Sequence, residues 1–170
     1  MEPSVTLDEA GPGDVSTLRR LMQLYLYEIG SDDGWDIGAD GLYGNAERIE
    51  RFWSEPGRHA FLIRVAGVLA GFALVNDRAW FAGAGTREIN EFFVLRRYRR
   101  RGVGACVATR LFDRFPGRWE VVQMASNTGA QAFWRVVIAR YTGGAFEDGE
   151  RPTEHGGRRV QHFTAPGGRA

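Results

Sequence analysis

The chain has 170 residues, of which 44% are apolar, so its length and composition fit one folded domain rather than a disordered protein. Its 22 basic and 21 acidic residues leave a net charge of +1, which argues against a general nucleic-acid-binding or membrane-surface protein. The single cysteine excludes an internal disulfide. The segment Met1–Ala10 is acidic and lacks the apolar core of a signal peptide, and no apolar run approaches the length of a membrane span. Since a single cysteine also fits a reducing setting, we expect a cytoplasmic protein.

The N-terminal third alternates between regular elements and a long loop. Alternating apolar and polar residues predict a first strand at Val5–Glu9, and apolar residues at helical spacing predict a helix that runs to about Tyr27. The segment Gly30–Gly44 is rich in glycine and aspartate and is too long and polar for a simple connection, which is typical of a functional loop. A short helix is predicted at Ala46–Ser54.

The rest of the chain predicts a mixed sheet with helices between its strands. The predicted elements are a hairpin of Ala60–Val65 and Val68–Asn76, a strand at Glu88–Leu95, a helix at Gly104–Phe115, a strand at Trp119–Ala125, a helix at Thr128–Tyr141, and strands at Gly144–Glu147 and Arg159–Thr164. This order predicts one α/β (α+β) domain over residues 1–170, with a parallel β–α–β unit in its middle and a frayed tail at 165–170.

The segment Arg99–Ala105 lies between a buried strand and a helix and contains Gly102 and Gly104. A helix start leaves its first amides without partners, and these amides together with the helix dipole attract anions. Glycines allow the backbone to approach a phosphate closely, and neighbouring arginines add charge-assisted hydrogen bonds. The pattern therefore favours a phosphate-binding turn.

Other interpretations of this turn remain. A dinucleotide fold requires a third glycine where Val107 stands, and a P-loop requires a Gly-Lys-Ser/Thr sequence that is absent, so both are rejected. Considered alone, the turn also fits a solvated basic segment with no ligand or a local nucleic-acid patch.

Two motifs at the expected separation resemble the signatures of the GNAT superfamily of N-acetyltransferases. The first comprises Arg99, Gly102 and Gly104 after a strand that ends near Val94, and the second is the segment S126-N-T-G-A-Q-A-F-W134 after the next strand. The resemblance implies a central mixed sheet of about six to seven strands flanked by about four helices, with strands 4 and 5 splayed. It also implies acetyl-coenzyme A as co-substrate and N-acyltransfer as the reaction.

The same resemblance implies which residues bind the acyl donor. The pantetheine arm is expected to enter between the splayed strands and to pair with the backbone of one of them, while the amides of the turn hold the pyrophosphate. The implied set is Phe93, Val94, Leu95, Arg99, Arg100, Arg101, Gly102, Val103, Gly104, Ala105, Asn127, Ala130 and Phe133.

The resemblance implies direct attack of an amine on the thioester, which requires a base, and Glu91 is the first candidate, with Glu88 the second. Either carboxylate could instead pair with an arginine. The residue after Phe133, where the family usually has a tyrosine to protonate the thiolate, is Trp134, and an indole N–H does not give up its proton at neutral pH. Water or Tyr141 is expected to take that role; alternatively, the protein is a non-catalytic acyl-CoA-binding or regulatory module.

The acceptor is expected at the N-terminal helices and their loop, because the family usually binds it there. The implied substrate-binding residues are Glu28, Asp32, Asp33, Trp35 and Tyr43. An acidic, aromatic loop suits a small cationic amine, through charge pairing and cation–π contact, although a solvated acidic loop fits the same residues. The sequence does not identify the acceptor or the acyl chain length, and a homodimer is one option for the assembly.

Cysteine and histidine add little to this interpretation. Cys106 follows the turn, where a helix N-terminus favours a reactive thiol, but a small packing residue explains it more simply. His59, His155 and His162 lack metal-ligand spacing, so no metal is predicted.

Overall fold

The computed structural model describes residues 4–44 and 47–166. In this part of the chain, helices and strands follow one another in the predicted order. The strands are β1 (Val5–Glu9), β2 (Arg58–Val65), β3 (Val68–Ala79), β4 (Gly83–Val94), β5 (Gly117–Met124), β6 (Phe146–Arg151) and β7 (Arg158–Ala165). The helices are α1 (Val15–Asp33), α2 (Glu47–Ser54), α3 (Val103–Arg114) and α4 (Thr128–Thr142).

The strands form one sheet in the order β1-β2-β3-β4-β5-β7-β6. Every neighbouring pair is antiparallel except β4 and β5, which are parallel and are connected through α3. The mixed sheet and its helices confirm the predicted fold class. A parallel pair requires a crossover between its strands, and this requirement places the turn before α3 at the C-terminal end of β4.

The parallel strands β4 and β5 separate at their C-terminal ends. Their pairing runs from Thr86 opposite Arg118 to Ile89 opposite Val121. Beyond that point β4 continues to Val94 beside β3, and β5 continues beside β7, but the two strands no longer pair with each other. An opening in the middle of the sheet results, as the resemblance implies.

A β-bulge on β4 lies where this opening begins. Leu74 of β3 is opposite Glu91, and the next residue, Val75, is opposite Ile89, so Asn90 is an extra residue in β4. A bulge bends its strand and resets the alternation of side chains. Glu88 and Glu91 are three positions apart, which in a regular strand would put them on opposite faces; the bulge places them on the same face.

Two apolar cores cover the two faces of the sheet. The face toward α1 and α2 carries Leu74 and Phe93 together with Leu18 of α1. The face toward α3 and α4 carries Val75 and Ile89, along with many buried aromatic side chains. Since Glu91 is the cross-strand partner of Leu74, the two acidic residues of β4 face α1, whereas Ile89 and Phe92 face α4.

Several element boundaries differ from the predictions. Helix α1 continues past Tyr27 to Asp33 and ends at Gly34, which has φ 68° and donates its amide to the carbonyl of Gly30. A left-handed glycine is a common helix terminator, so Gly34 rather than Gly30 ends this helix. The second helix was predicted to begin at residue 46, which lies outside the described residues. Of the predicted tail at 165–170, residues 167–170 also lie outside them, whereas Ala165 belongs to β7.

Candidate active site

A cavity of about 260 Å³ fills the opening between β4 and β5. From the face of the sheet toward α1 it is lined by Tyr25, Ile29, Trp35, Trp80, Glu88 and Glu91. From the face toward α4 it is lined by Phe92, Gln123, Asn127, Ala130 and Trp134. The cavity therefore reaches both faces of the sheet, which only separated strands allow.

Glu88 is the most perturbed acid in this cavity. Its side chain is buried, with 7% exposure. Burial, followed by the negative charges of Glu120 and Glu91, raises the pKa of Glu88 to about 7, although hydrogen bonds from the Asn76 side chain and the Trp80 backbone oppose the rise. A carboxyl group of this acidity can exchange a proton near neutral pH.

Glu120 is the neighbour of Glu88 across the parallel pair and is fully buried. Its two carboxylate oxygens accept hydrogen bonds from the amides of Phe81 and Ala82, each at 2.9 Å. The Nε2 atom of His162 lies 2.8 Å from Glu120 Oε2. Sequence reasoning missed this residue, although an acid inside the apolar segment W119-E-V-V122 was a usable indication of a buried polar contact.

The turn before α3 has the backbone that the phosphate hypothesis requires. Gly102 precedes the helix with φ 75°, and Arg100 also has a positive φ, of 58°. The first amides of α3 have no preceding turn to accept their hydrogen bonds. A Cβ atom at Gly104 would lie 3.1 Å from two ring carbons of Phe133, so this glycine lets α3 and α4 approach closely.

The guanidinium of Arg99 contacts groups within the protein. Its Nε donates to the carbonyl of Val94 at 2.6 Å, and its terminal nitrogen lies 2.7 Å from Glu28 Oε2. Arg96 adds a second ion pair to Glu28, at 3.3 Å. Glu28, expected at the acceptor, thus fastens α1 to the turn after β4 and does not line the cavity.

The backbone of β4 beyond the bulge is partly committed to other partners. The amide of Leu95 donates to the carbonyl of Ala70 at 2.8 Å, and the carbonyl of Val94 accepts from Arg99. Phe93 is buried opposite Phe72. The edge of this segment that faces β5 pairs with no strand, so the expected pairing with a pantetheine arm stays a prediction for Phe93 to Leu95.

The second motif forms the start of α4. Asn127 Oδ1 accepts a hydrogen bond from the amide of Ala130 at 3.0 Å and caps the helix, and both residues line the cavity. Phe133 does not line the cavity; its ring stacks on Phe92 with centroids 6.0 Å apart. The capping role explains this asparagine without a ligand, and its binding role stays a prediction.

Trp134 and Tyr141 occupy different places on α4. Trp134 is buried, lines the cavity and contacts the edges of Phe92 and Phe133. The hydroxyl of Tyr141 donates to Asp113 at 2.8 Å, and burial and this carboxylate raise the pKa of the phenol. Because Tyr141 lies two turns beyond Trp134, roughly 10 Å along the helix, it does not line the cavity, and the geometry does not favour it as the proton donor.

The residues expected at the acceptor are scattered. Trp35 lines the cavity, and Asp33 lies with it in a neighbouring groove that also includes His155. Tyr43 is held by its backbone to the side chain of Gln23 and does not line the cavity. The side chain of Asp32 lies outside the described part of the structure.

Two further observations concern the described ranges 4–44 and 47–166. Cys106 is half-buried in the first turn of α3. These residues contain no group of three or more His, Cys, Asp or Glu side chains that could hold a metal ion, and none of their helices is long and apolar enough to cross a membrane.

The model of the acetyltransferase (GNAT) family matches residues 21–137, which is more than half of the chain. A search of curated proteins finds no significant match.

The structural comparisons agree with the family match. An acetyltransferase from Thermus thermophilus superposes with a TM-score of 0.71 at 15% identity and covers 96% of this chain and 99% of its own. A spermidine N-acetyltransferase from Vibrio cholerae, solved with CoA and spermine, gives 0.66 at 12% identity, with 95% of each chain covered. A ribosomal-protein alanine N-acetyltransferase from Escherichia coli gives 0.61 at 16% identity, covering 97% of this chain and 96% of its own. At these identities the structures establish a shared fold.

Proposed function

The chain belongs to the GNAT family of acetyltransferases, and on that premise we propose that it moves an acetyl group from acetyl-coenzyme A to the primary amine of a small cationic acceptor. The observation that carries this proposal is the cavity that reaches both faces of the sheet, with Glu88, a carboxyl group whose pKa is about 7, on one face. Two substrates that approach from opposite faces would meet inside the opening.

The α4 face supports binding of the acyl donor. The start of α3 offers unpaired amides and the left-handed Gly102, and Arg100 and Arg101 are exposed beside it. Helix N-termini and arginine side chains bind phosphate oxygens well. From there a pantetheine arm would follow the free edge of β4 past Asn127 and Ala130 into the cavity.

The α1 face supports binding of a cation. Glu88 and Glu91 give it negative charge, and Trp35 and Trp80, 43% and 53% exposed, give it aromatic surface. Arg158 also lines the cavity, but carbonyl groups of His155 and Gly157 accept from its guanidinium, which lies over the Trp80 ring. A spermidine N-acetyltransferase with the same fold was solved with spermine, a polycationic amine.

We assign the base to Glu88, with Glu91, the first choice from the sequence, beside it on the same face. Acetyl-coenzyme A supplies an activated thioester, and the amine must lose a proton to attack its carbonyl carbon as the carbon–sulfur bond breaks. Glu88 takes that proton directly or through one water. Trp134 can donate a hydrogen bond to the departing sulfur, which takes its proton from water, and Glu88 returns the proton of the amine to that water.

Thiol release tests this proposal. Purified protein is incubated with acetyl-coenzyme A and a panel of polyamines, aminoglycosides, amino acids and peptides, and free thiol is measured against time. Turnover with at least one cationic amine, and none with the same compound acetylated at all its primary amines, is the expected result. Failure of acetyl-coenzyme A to bind in calorimetry would contradict the proposal.

A second candidate function is a non-catalytic acyl-CoA-binding or regulatory module. The specific observation in its favour is Trp134, which lines the cavity where the family usually has a tyrosine. This alternative predicts tight binding of acetyl-coenzyme A without thiol release for any amine, so the same two measurements separate the candidates.

A further inference from the structure

Gln123 of β5 carries an acceptor atom for which the protein supplies no donor. The residue is buried, with 5% exposure, and lines the cavity between β4 and β5. Its Oε1 atom is shielded from solvent and has no hydrogen-bond partner among the described residues. A buried carbonyl without a donor is unfavourable, so such atoms in native proteins call for an explanation.

A chain of hydrogen bonds fixes which atom of Gln123 is left over. Gln123 Nε2 donates to Gln161 Oε1 at 2.8 Å, and Gln161 Nε2 donates to Asp148 Oδ1 at 3.1 Å. Gln161 is fully buried. The oxygen and nitrogen of a glutamine amide are distinguished only by their partners, so the end of the chain decides the orientation of both amides.

That end is a carboxylate held firmly in its charged form. Asp148 accepts from Arg159 at 2.6 and 3.0 Å and from Arg135 at 2.8 Å. The hydrogen bonds of Arg159, against the effect of burial, lower the pKa of Asp148 to about 2. An ionised carboxylate only accepts, so Gln161 must turn its NH₂ group toward Asp148 and its carbonyl toward Gln123. Gln123 must then use its NH₂ group on Gln161, and its carbonyl is the atom left without a donor, in a residue that lines the cavity.

We propose that Gln123 is a binding residue of the acyl donor, whose Oε1 accepts a hydrogen bond from an amide N–H of the pantetheine arm. Gln123 lies on the same face of β5 as Trp119 and Val121, because every second residue of a strand points to the same side. Trp119 and Val121 pack in the core beneath α3 and α4. Gln123 therefore lies on the donor face of the cavity, opposite in orientation to Glu88 and Glu91. This inference rests on the proposed function, because it assumes that the bound molecule is acyl-coenzyme A.

A double cycle of protein and ligand variants tests the contact. Calorimetry measures the affinities of wild type and Gln123→Met for coenzyme A and for two analogues, each with one pantetheine amide replaced by an ester, which removes one N–H. We expect Gln123→Met to bind coenzyme A about tenfold more weakly, the usual size of one hydrogen bond. We also expect one analogue to bind wild type about tenfold more weakly than coenzyme A does, and Gln123→Met to lose this discrimination.

The cycle separates the contact from structural effects. If Gln123→Met only loosens the packing, it will bind all three ligands more weakly by the same factor and keep the discrimination, and this result would overturn the proposal. The proposal would also be overturned if wild type bound all three ligands with equal affinity. Gln23→Met, the same substitution on α1, removes hydrogen bonds to the Tyr43 backbone on the acceptor side and is the control for a general loss of glutamine contacts; it should keep the coenzyme A affinity of wild type and its discrimination between the analogues. Gln123→Leu replaces Gln123→Met if that variant does not fold.

Two remaining outcomes are also decisive. Unchanged coenzyme A affinity with a raised KM for the amine would overturn the proposal and assign Gln123 to the acceptor. Failure of wild type to bind coenzyme A at all would contradict the proposed function itself, and the inference with it.

Discussion

The acidity of Glu88 results from a competition between burial and hydrogen bonding. Removal from water and two neighbouring carboxylates disfavour its charge, whereas Asn76 and the Trp80 amide favour it. Glu120 is more deeply buried than Glu88, but two backbone amides and His162 bind its carboxylate directly. Two adjacent acids on paired strands therefore have different environments, one suited to proton exchange and one to holding the turn at Phe81 in place.

The pH dependence of catalysis follows from this environment. A base with a pKa of about 7 is active only when deprotonated, so we expect kcat/KM to rise with pH and to bend near pH 7. In Glu88→Gln we expect turnover to fall at least tenfold and the bend near pH 7 to disappear, leaving only the titration of the amine. A pH–rate profile from pH 5 to 9 measures both.

Glu91→Gln is the matched control, since it removes the other acid on the same face. We expect its profile to keep the bend, shifted to lower pH, because the negative charge of Glu91 contributes to the raised pKa of Glu88. A bend that survives in Glu88→Gln and vanishes in Glu91→Gln would transfer the role of base to Glu91.

At the scale of elements, the contact between α3 and α4 joins the two family motifs. The Phe133 ring leaves no room for a larger residue at Gly104, and Phe133 in turn stacks on Phe92 beside the cavity. The glycine spacing that suggested a phosphate turn thus has a second cause, which is helix packing. Gly104 therefore shapes the turn and, through Phe133, supports Phe92 in the cavity wall.

Replacing Gly104 tests this double role. In Gly104→Leu the side chain would have to displace Phe133, so we expect coenzyme A affinity to fall more than tenfold in calorimetry, with a loss of stability of about 1 to 3 kcal/mol. Gly13→Leu, where an added Cβ meets no atom within 4 Å, should change neither quantity. Unaltered affinity in Gly104→Leu would disprove the assignment of the donor site to this turn.

The sequence predicts elements better than it predicts their roles. Periodicity and the glycine and proline breaks predicted the order of the strands and helices of the described residues, and the two motifs predicted the separated strands, because these patterns are local. The bounds were less accurate: β6 is Phe146–Arg151 rather than Gly144–Glu147, and β4 begins at Gly83 rather than Glu88. Glu28 was expected at the acceptor but binds Arg96 and Arg99, and Tyr141 was expected near the thiolate but binds Asp113. These partners are distant in sequence, so no local pattern reveals them. The buried Gln123–Gln161 pair was missed for the same reason.

For the whole molecule, Glu88 links stability to pH. Its folded pKa of about 7 exceeds the ordinary value of 4.5, so the folded state binds more protons than the unfolded state between these values. The free energy of unfolding therefore falls as pH rises from about 4.5 to 7. The shift corresponds to about 3 kcal/mol, a substantial part of the stability of an ordinary domain.

Glu88→Gln should remove this penalty, since glutamine carries no charge at any pH. We expect the variant to be more stable than wild type at pH 8, by about 2 to 3 kcal/mol, and nearly equal to it at pH 4.5. Denaturant unfolding at both pH values measures the difference. Equal stability at pH 8 would show that Glu88 ionises without a penalty in the folded protein.

The extra residue at Asn90 lies where β4 and β5 stop pairing, and we expect it to keep the two strands apart. Its bulge coincides with the last paired residue, Ile89, and a bulge bends its strand. Deleting Asn90 would restore a regular ladder between Gly71–Asn76 and Glu88–Val94 and keep Ile89 opposite Val75. We expect the shortened chain to fold with an unchanged circular dichroism spectrum, to join Glu91–Phe93 to Val122–Met124, and to bind no coenzyme A. The capacity to admit a ligand would then depend on one inserted residue whose side chain need do nothing.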